Sequence, residues 1–190
     1  RLLENALGLE KRKKVFSLLY LLRSDGSYPV RTAALQIWKA VVSNTPRTLN
    51  EIMDSLMDLI IIGLSEQGSD QQQTAASCLG ELVGKLGSKV TTAIFPTMEA
   101  GLRDTSSRIR RGVCYGLSSV LQNVSRQQVI TFLPSLLPAV QTTLCDEDQS
   151  VRSASGDLMT TLFKSAGDVI QEQVLPNVLE DIKAGSATSQ

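Results

Sequence analysis

Four stretches of this chain carry the same pattern of residue types in the same register. Arg31, Gln73, Arg110 and Arg152 hold one equivalent position, with gaps of 42, 37 and 42 residues. The residue before each is Val30, Gln72, Ile109 and Val151. Two places after each comes a small residue: Ala33, Ala75, Gly112 and Ala154. Ten places after each comes an apolar one: Val41, Val83, Val120 and Leu162. Six places before three of the four stands an aspartate, Asp25, Asp104 or Asp146, and the second unit has Gln67 there. A register kept at this many positions, with a period of about forty residues, implies stacked supersecondary units that bury their apolar faces against one another.

Each unit reads as a polar turn followed by an amphipathic helix, with a second helix completing the pair. The clearest is Leu102 to Val124, where Thr105-Ser106-Ser107 is expected to cap a helix running to Val124. The 42% hydrophobic content suffices for a continuous core, and its 4% aromatic share leaves that core to Leu, Val, Ile and Ala. No segment alternates with period two, so no strand is expected. The pattern resembles the HEAT family of helix-pair repeats. The fold class is therefore read as an all-α HEAT-repeat α-α superhelix, or solenoid, of about four to five helix pairs. Approximate units are 1–44, 45–87, 88–125, 126–167 and a partial 168–184, within a solenoid of 1–184, with a flexible tail at 185–190.

Local signals refine the units. Residues 2–22 suit a helix broken near Gly8. The helix after Pro29 is expected to turn Val30, Ala33, Ala34, Ile37, Val41 and Val42 inward, with Trp38 packing between repeats. Asp70 is read as an N-cap. Pro96, Pro134, Pro138 and Pro176 fall inside outer helices, where each removes one backbone hydrogen bond. Inner and outer halves of the last pair are expected at 150–166 and 169–184. Neither end of the chain has an evident polar capping repeat, which is read as a piece of a longer array.

Nineteen basic and nineteen acidic residues balance. Net charge thus gives no cause to expect direct nucleic-acid binding or an anionic membrane surface. The run Glu10-Lys11-Arg12-Lys13-Lys14 is read as a solvated helix face. The apolar run at 59–62, followed by Gly63 and Leu64, is far too short for a bilayer span. Cys78, Cys114 and Cys145 form no CxxC pair and are read as reduced thiols on or near buried helix faces in a cytoplasmic protein. Histidine is absent, and none of the common catalytic or phosphate-binding motifs occurs. The chain is accordingly read as not an enzyme, with no cofactor and no metal site.

Two features could carry function. Asp25, Arg31, Asp104, Asp146 and Arg152, together with Arg110, are expected to form an Arg/Asp ladder aligning the units, because a guanidinium pairs with a carboxylate at two points. Arg103, Arg108, Arg110 and Arg111 form the densest positive cluster. Arg111 is off the ladder register, and the cluster is read either as a docking site for an acidic surface or as an ordinary solvated loop rim.

Particular strings narrow the resemblance: 30–39, VRTAALQIWK; 42–49, VSNTPRTL; and Gly112-Val113-Cys114 with Gly116-Leu117-Ser118 close behind. They resemble the C-terminal region in the family of general control non-derepressible protein one, the very large HEAT-repeat activators of the general-control kinase. The resemblance covers essentially the whole chain. It implies binding to the N-terminal RWD domain of the general-control kinase. It also implies ribosome contact through other parts of the full-length protein. In that family the outcome is phosphorylation of the alpha subunit of initiation factor two when uncharged tRNA accumulates. An arginine essential for kinase binding in the family corresponds, through the Arg-x-Gly-Val-Cys pattern, to Arg110.

Overall fold

The computed structural model describes residues 8–66, 68–86 and 88–187, with side chains further restricted to exclude 85–93 and 173–187. Apolar spacing and caps divide the described residues into helices α1 (Leu9–Leu21), α2 (Tyr28–Val41), α3 (Thr45–Ser65), α4 (Asp70–Leu86), α5 (Ser88–Gly101), α6 (Ser107–Leu121), α7 (Arg126–Leu144) and α8 (Gln149–Ala187). A 3-10 turn, Leu22–Ser24, joins α1 to α2. No strand occurs among the described residues.

The boundaries have local causes. Asn44 caps α3 by accepting the Arg47 N–H at 3.0 Å, and Pro46 follows within the first turn, where its missing donor is not needed. Ser125 and Gln128 form a reciprocal capping box at α7. Ser69, not Asp70, caps α4: its Oγ accepts the Gln72 N–H at 3.1 Å, and Asp70 is already the first helical residue. α6 stops at Leu121, short of Val124, because the chain enters a turn before Ser125. α8 contains a break at Ala166 (φ −149°, ψ 34°), which separates an inner half from an outer one. Gly185 to Ala187, expected in the tail, continue that helix, while 188–190 and the first part of the helix expected over 2–22, residues 2–7, lie outside the described residues.

The helices form antiparallel pairs, α1/α2, α3/α4, α5/α6 and α7/α8, stacked side by side. The inner helices α4, α6 and the first half of α8 pack in succession, and α3 lies across α6 as well as α4. One core runs through the stack, with Leu56, Ile60, Leu64, Leu79, Leu117 and Leu158 among its fully buried side chains. Full burial of such a side chain stabilises by roughly 1.5–3 kcal/mol. Small residues let the helices meet closely. A Cβ on Gly112 would lie 2.7 Å from the backbone of Leu64 and Ser65, so only glycine allows α6 to cross the end of α3.

The first unit departs from the repeat. α2 packs chiefly on α1 and the 3-10 turn and does not stack on α4. Ala34 and Trp38 are buried, but Val30, Ile37 and Val41 are exposed, against the expected inward face. Val83, Val120 and Leu162, the equivalents of Val41, are all buried. Trp38 packs edge-on to Phe16 and Tyr20 of its own unit, and its Nε1–H donates to Thr45 Oγ1, at the start of the next unit, at 3.0 Å. Of the cysteines, Cys78 and Cys114 are buried, and burial pushes each thiol up to about 12. Cys145 instead is exposed, because it follows the last residue of α7 as the C-cap.

Candidate functional site

The turns before the inner helices share one edge of the stack, and the repeated Arg and Asp lie on it. Within each turn the aspartate's Oδ1 accepts a backbone N–H two residues on: Ser27 at 2.8 Å from Asp25, Ser106 at 2.8 Å from Asp104, Asp148 at 2.9 Å from Asp146. The arginine six residues on folds back over the turn. Arg31 Nη1 donates to the carbonyls of Asp25 and Gly26, both at 2.7 Å. Arg110 Nη1 donates to Asp104 O at 2.8 Å and Thr105 O at 3.1 Å. Arg152 Nη1 donates to Asp146 O at 2.7 Å and Glu147 O at 2.9 Å. The six-residue spacing therefore records a turn clamp. Its guanidinium satisfies backbone acceptors that helix formation leaves unpaired.

In the second unit a neighbour takes over. Gln72, not Gln73, spans the turn, accepting the Gly68 N–H and donating to Leu64 O, each at 3.1 Å. Gly68 sits at φ 68°, a conformation that side chains disfavour. Gln73 turns away to Ser77, and Gln67 lies outside the described residues.

A rung between units closes at the third and fourth. Arg110 donates from Nε to Asp146 Oδ2 at 2.7 Å and from Nη2 to Asp146 Oδ1 at 2.8 Å. The Arg110 hydrogen bond holds the Asp146 carboxyl below the usual carboxylate range, and Asp146 in turn raises Arg110. Asp148 sits beside this rung. Hydrogen bonds from the Ser150 and Ser107 side chains lower its carboxyl to about 2. Ser107 opens α6, so Asp148 is a second tie between the units. Asp148 is also the N-cap of α8, accepting the Ser150 N–H at 2.8 Å. The sequence signal for this cap is the Asp-x-Ser spacing ahead of an apolar run.

The arginine cluster divides. Arg103 and Arg108 project to solvent, their side chains 58% and 60% exposed. Arg103, in the turn after α5, pairs with Glu99 of that helix at 3.1 Å, and Arg108 reaches Glu66 of the preceding unit at 2.7 Å. Exposed pairs of this kind contribute about 0–1 kcal/mol and exchange easily. Arg110 is 17% exposed and fully engaged in its clamp and rung. Arg111 is buried at the junction of three helices: its Nη2 donates to Ser65 O at 3.0 Å, at the end of α3, and its Nη1 approaches Ser150 Oγ at 3.4 Å. A cation at the carboxyl end of a helix is favoured by the helix dipole. The structure thus brings all four to one rim, two on its surface and two inside its joint.

Among the described residues, no cluster of three or more histidine, cysteine or acidic side chains could hold a metal ion, and no helix is long and apolar enough to cross a membrane.

A family model described as stalled ribosome sensor GCN1-like, HEAT repeats, matches residues 17–189. The chain belongs to the GCN1-like HEAT-repeat family. It is 42% identical over 177 residues to the stalled ribosome sensor GCN1 of Homo sapiens, covering 93% of the chain and 7% of that protein. It is 31% identical over 183 residues to the eIF-2-alpha kinase activator GCN1 of Saccharomyces cerevisiae, covering 96% of the chain and 7% of that protein. Protein ILITYHIA of Arabidopsis thaliana is 48% identical over 90 residues, 47% of the chain and 3% of that protein. The chain therefore spans a small part of the length of these GCN1-like relatives and supplies a segment of HEAT-repeat scaffold.

Proposed function

We propose that this segment is a non-catalytic docking module that binds the RWD domain of the general-control kinase. Through that contact it supports kinase activation on ribosomes by uncharged tRNA. Membership of the GCN1-like family and the name of the yeast relative, eIF-2-alpha kinase activator GCN1, support the reading. The observation that carries it is the rim. Arg103 and Arg108 stand free of the core on a scaffold locked from beneath by Arg110 and Arg111. An acidic partner surface replaces the weak pairs to Glu99 and Glu66, and complementary charge speeds encounter and sets register. In this reading Arg103 and Arg108 make the contact, while Arg110 and Arg111 hold the turn that presents them.

Calorimetric titration of the folded chain with the isolated RWD domain tests this. Micromolar binding is expected. The Arg103→Glu/Arg108→Glu pair is expected to weaken it at least tenfold with helix content and Tm unchanged. Arg110→Ala is expected to weaken binding and lower Tm together. No binding by the folded chain would leave a passive scaffold segment and end the docking reading.

A further inference from the structure

The first and second units are joined by packing of α1 on α3 and by Arg23 and Ser24 reaching Glu81 of α4, but their turn edge lacks a rung like the Arg110–Asp146 pair of the third and fourth. The second unit has Gln67 at the aspartate position, and α2 does not stack on α4. What remains is a groove of about 280 Å³ between the end of α1, α3 and the start of α4, lined by Leu18, Leu22, Leu59 and Ile62. A second groove, of about 440 Å³, runs between α3 and α5 past Ile61 and Ile109. Ile62 is a wall of both. It is 56% exposed, and Leu18 is 49% exposed.

The charged side chains that line these grooves have one sign; Arg31 and Arg110 sit on the backbone carbonyls of the Asp25 and Asp104 turns but line neither groove. Asp25 and Asp70 border the first, Asp58 and Asp104 the second, and no lysine or arginine lines either. None of these four carboxylates forms a salt bridge with a described residue; Asp25 and Asp104 accept only their own turn's N–H. An apolar ridge edged by four such acids is complementary to one kind of surface. The two grooves are parted by a single side chain, so the anchors that fill them must share a face, a turn or so apart. That is the spacing of one helix. Lysine and arginine stems would cover the remaining apolar surface while their heads reach the carboxylates.

We propose that this double groove is a docking surface for an amphipathic helix of a partner protein, with aliphatic residues on one stripe and basic residues beside it. The second groove meets the arginine rim at Asp104 and Ile109, but the acidic lining calls for a partner of the opposite charge. The chain's own basic run does not answer the description, since Lys13 pairs with Glu10 and Arg12 lies over Phe16.

The test uses chain 1–190 and a fluorescein-labelled 18-residue helix of leucine and lysine, leucines at helical spacing, read by anisotropy. A peptide of the same composition with the stripe scrambled is the control. The striped peptide is expected to bind at least tenfold tighter. Ile62→Glu and the Asp58→Lys/Asp70→Lys pair are each expected to weaken it at least tenfold, while Asp157→Lys on α8 leaves it unchanged. Amide shifts are expected to centre on 58–63 and 70–74. Circular dichroism checks that each variant is folded, with Ile62→Ser standing in should the glutamate unfold the chain. Equal binding of the scrambled peptide, shifts centred elsewhere, or indifference to folded groove variants overturns the proposal. So does a dimer in sedimentation that Ile62→Glu or Ile62→Ser dissociates, because the face would then belong to a second copy of the chain.

Discussion

Arg110 reaches out of its own unit and grips the carboxylate of Asp146 with two parallel hydrogen bonds, at 2.7 and 2.8 Å. A third nitrogen meanwhile holds two carbonyls of its own turn. One side chain thereby shapes a turn and fixes the spacing of two repeats. Arg110→Ala removes both functions and leaves a largely buried carboxylate unpaired, so a loss of about 2–3 kcal/mol is expected in urea unfolding. A double-mutant cycle with Asp146→Ala is expected to give a coupling of about 1–3 kcal/mol. Additive effects would show that the two residues do not act as a pair.

Acid should loosen the same joint. Asp146 and Asp148 are held below their ordinary range in the folded chain, Asp148 at about 2, whereas an unfolded aspartate titrates near ~3.9. A depressed folded value adds stability that is fully present above the unfolded one and is lost as pH falls through the folded one. Stability is therefore expected to be flat above about pH 5 and to fall from about pH 4 toward 2. Asp146→Asn and Asp148→Asn are each expected to flatten that fall, measured as the urea midpoint against pH. An unchanged slope in both would remove these carboxylates from the account.

How much of this was legible in the sequence follows from how local each interaction is. The repeat register, the turn positions and the break before Gly167 depend on neighbours a few residues away, and periodicity exposes them. The Arg110–Asp146 rung was legible too, because the repeat itself places the two positions one unit apart. The fates of Arg108 and Arg111 were not. Their partners, Glu66 and Ser65, lie 42 and 46 residues earlier, and only the crossing of α6 over the end of α3 brings them together. Nor did the register reveal α2, whose Ile37 and Val41 occupy core positions by pattern but face solvent, because burial there depends on stacking against α4.

That crossing rests on Gly112. Its hydrogen faces the Leu64–Ser65 backbone, which cannot yield as a flexible side chain would. Gly112→Ala is expected to destabilise the chain by about 1–3 kcal/mol despite the higher helix propensity of alanine. Gly156→Ala, where an added Cβ meets nothing within 4 Å, is expected to be neutral or stabilising by up to about 1 kcal/mol. Both are read from thermal unfolding by circular dichroism. Equal effects at the two sites would mean that α6 and α3 do not approach this closely.

The unstacked α2 makes the first unit the weakest part of the array. In a linear repeat protein each unit draws stability from its neighbours, so a unit lacking half of an interface opens first. Trp38 reports chiefly on that unit, buried against Phe16 and Tyr20 with its N–H bonded to Thr45 at the start of α3. Its fluorescence is expected to change at lower urea than the helical signal of the whole chain. Mutations give an independent measure of the same difference. Val41→Ala is expected to cost under about 0.5 kcal/mol, whereas Val120→Ala, at the equivalent position in α6, is expected to cost about 1–3 kcal/mol. Coincident unfolding curves, together with equal costs at Val41 and Val120, would mean that α2 stacks on α4 in solution and that the groove beside Ile62 is closed.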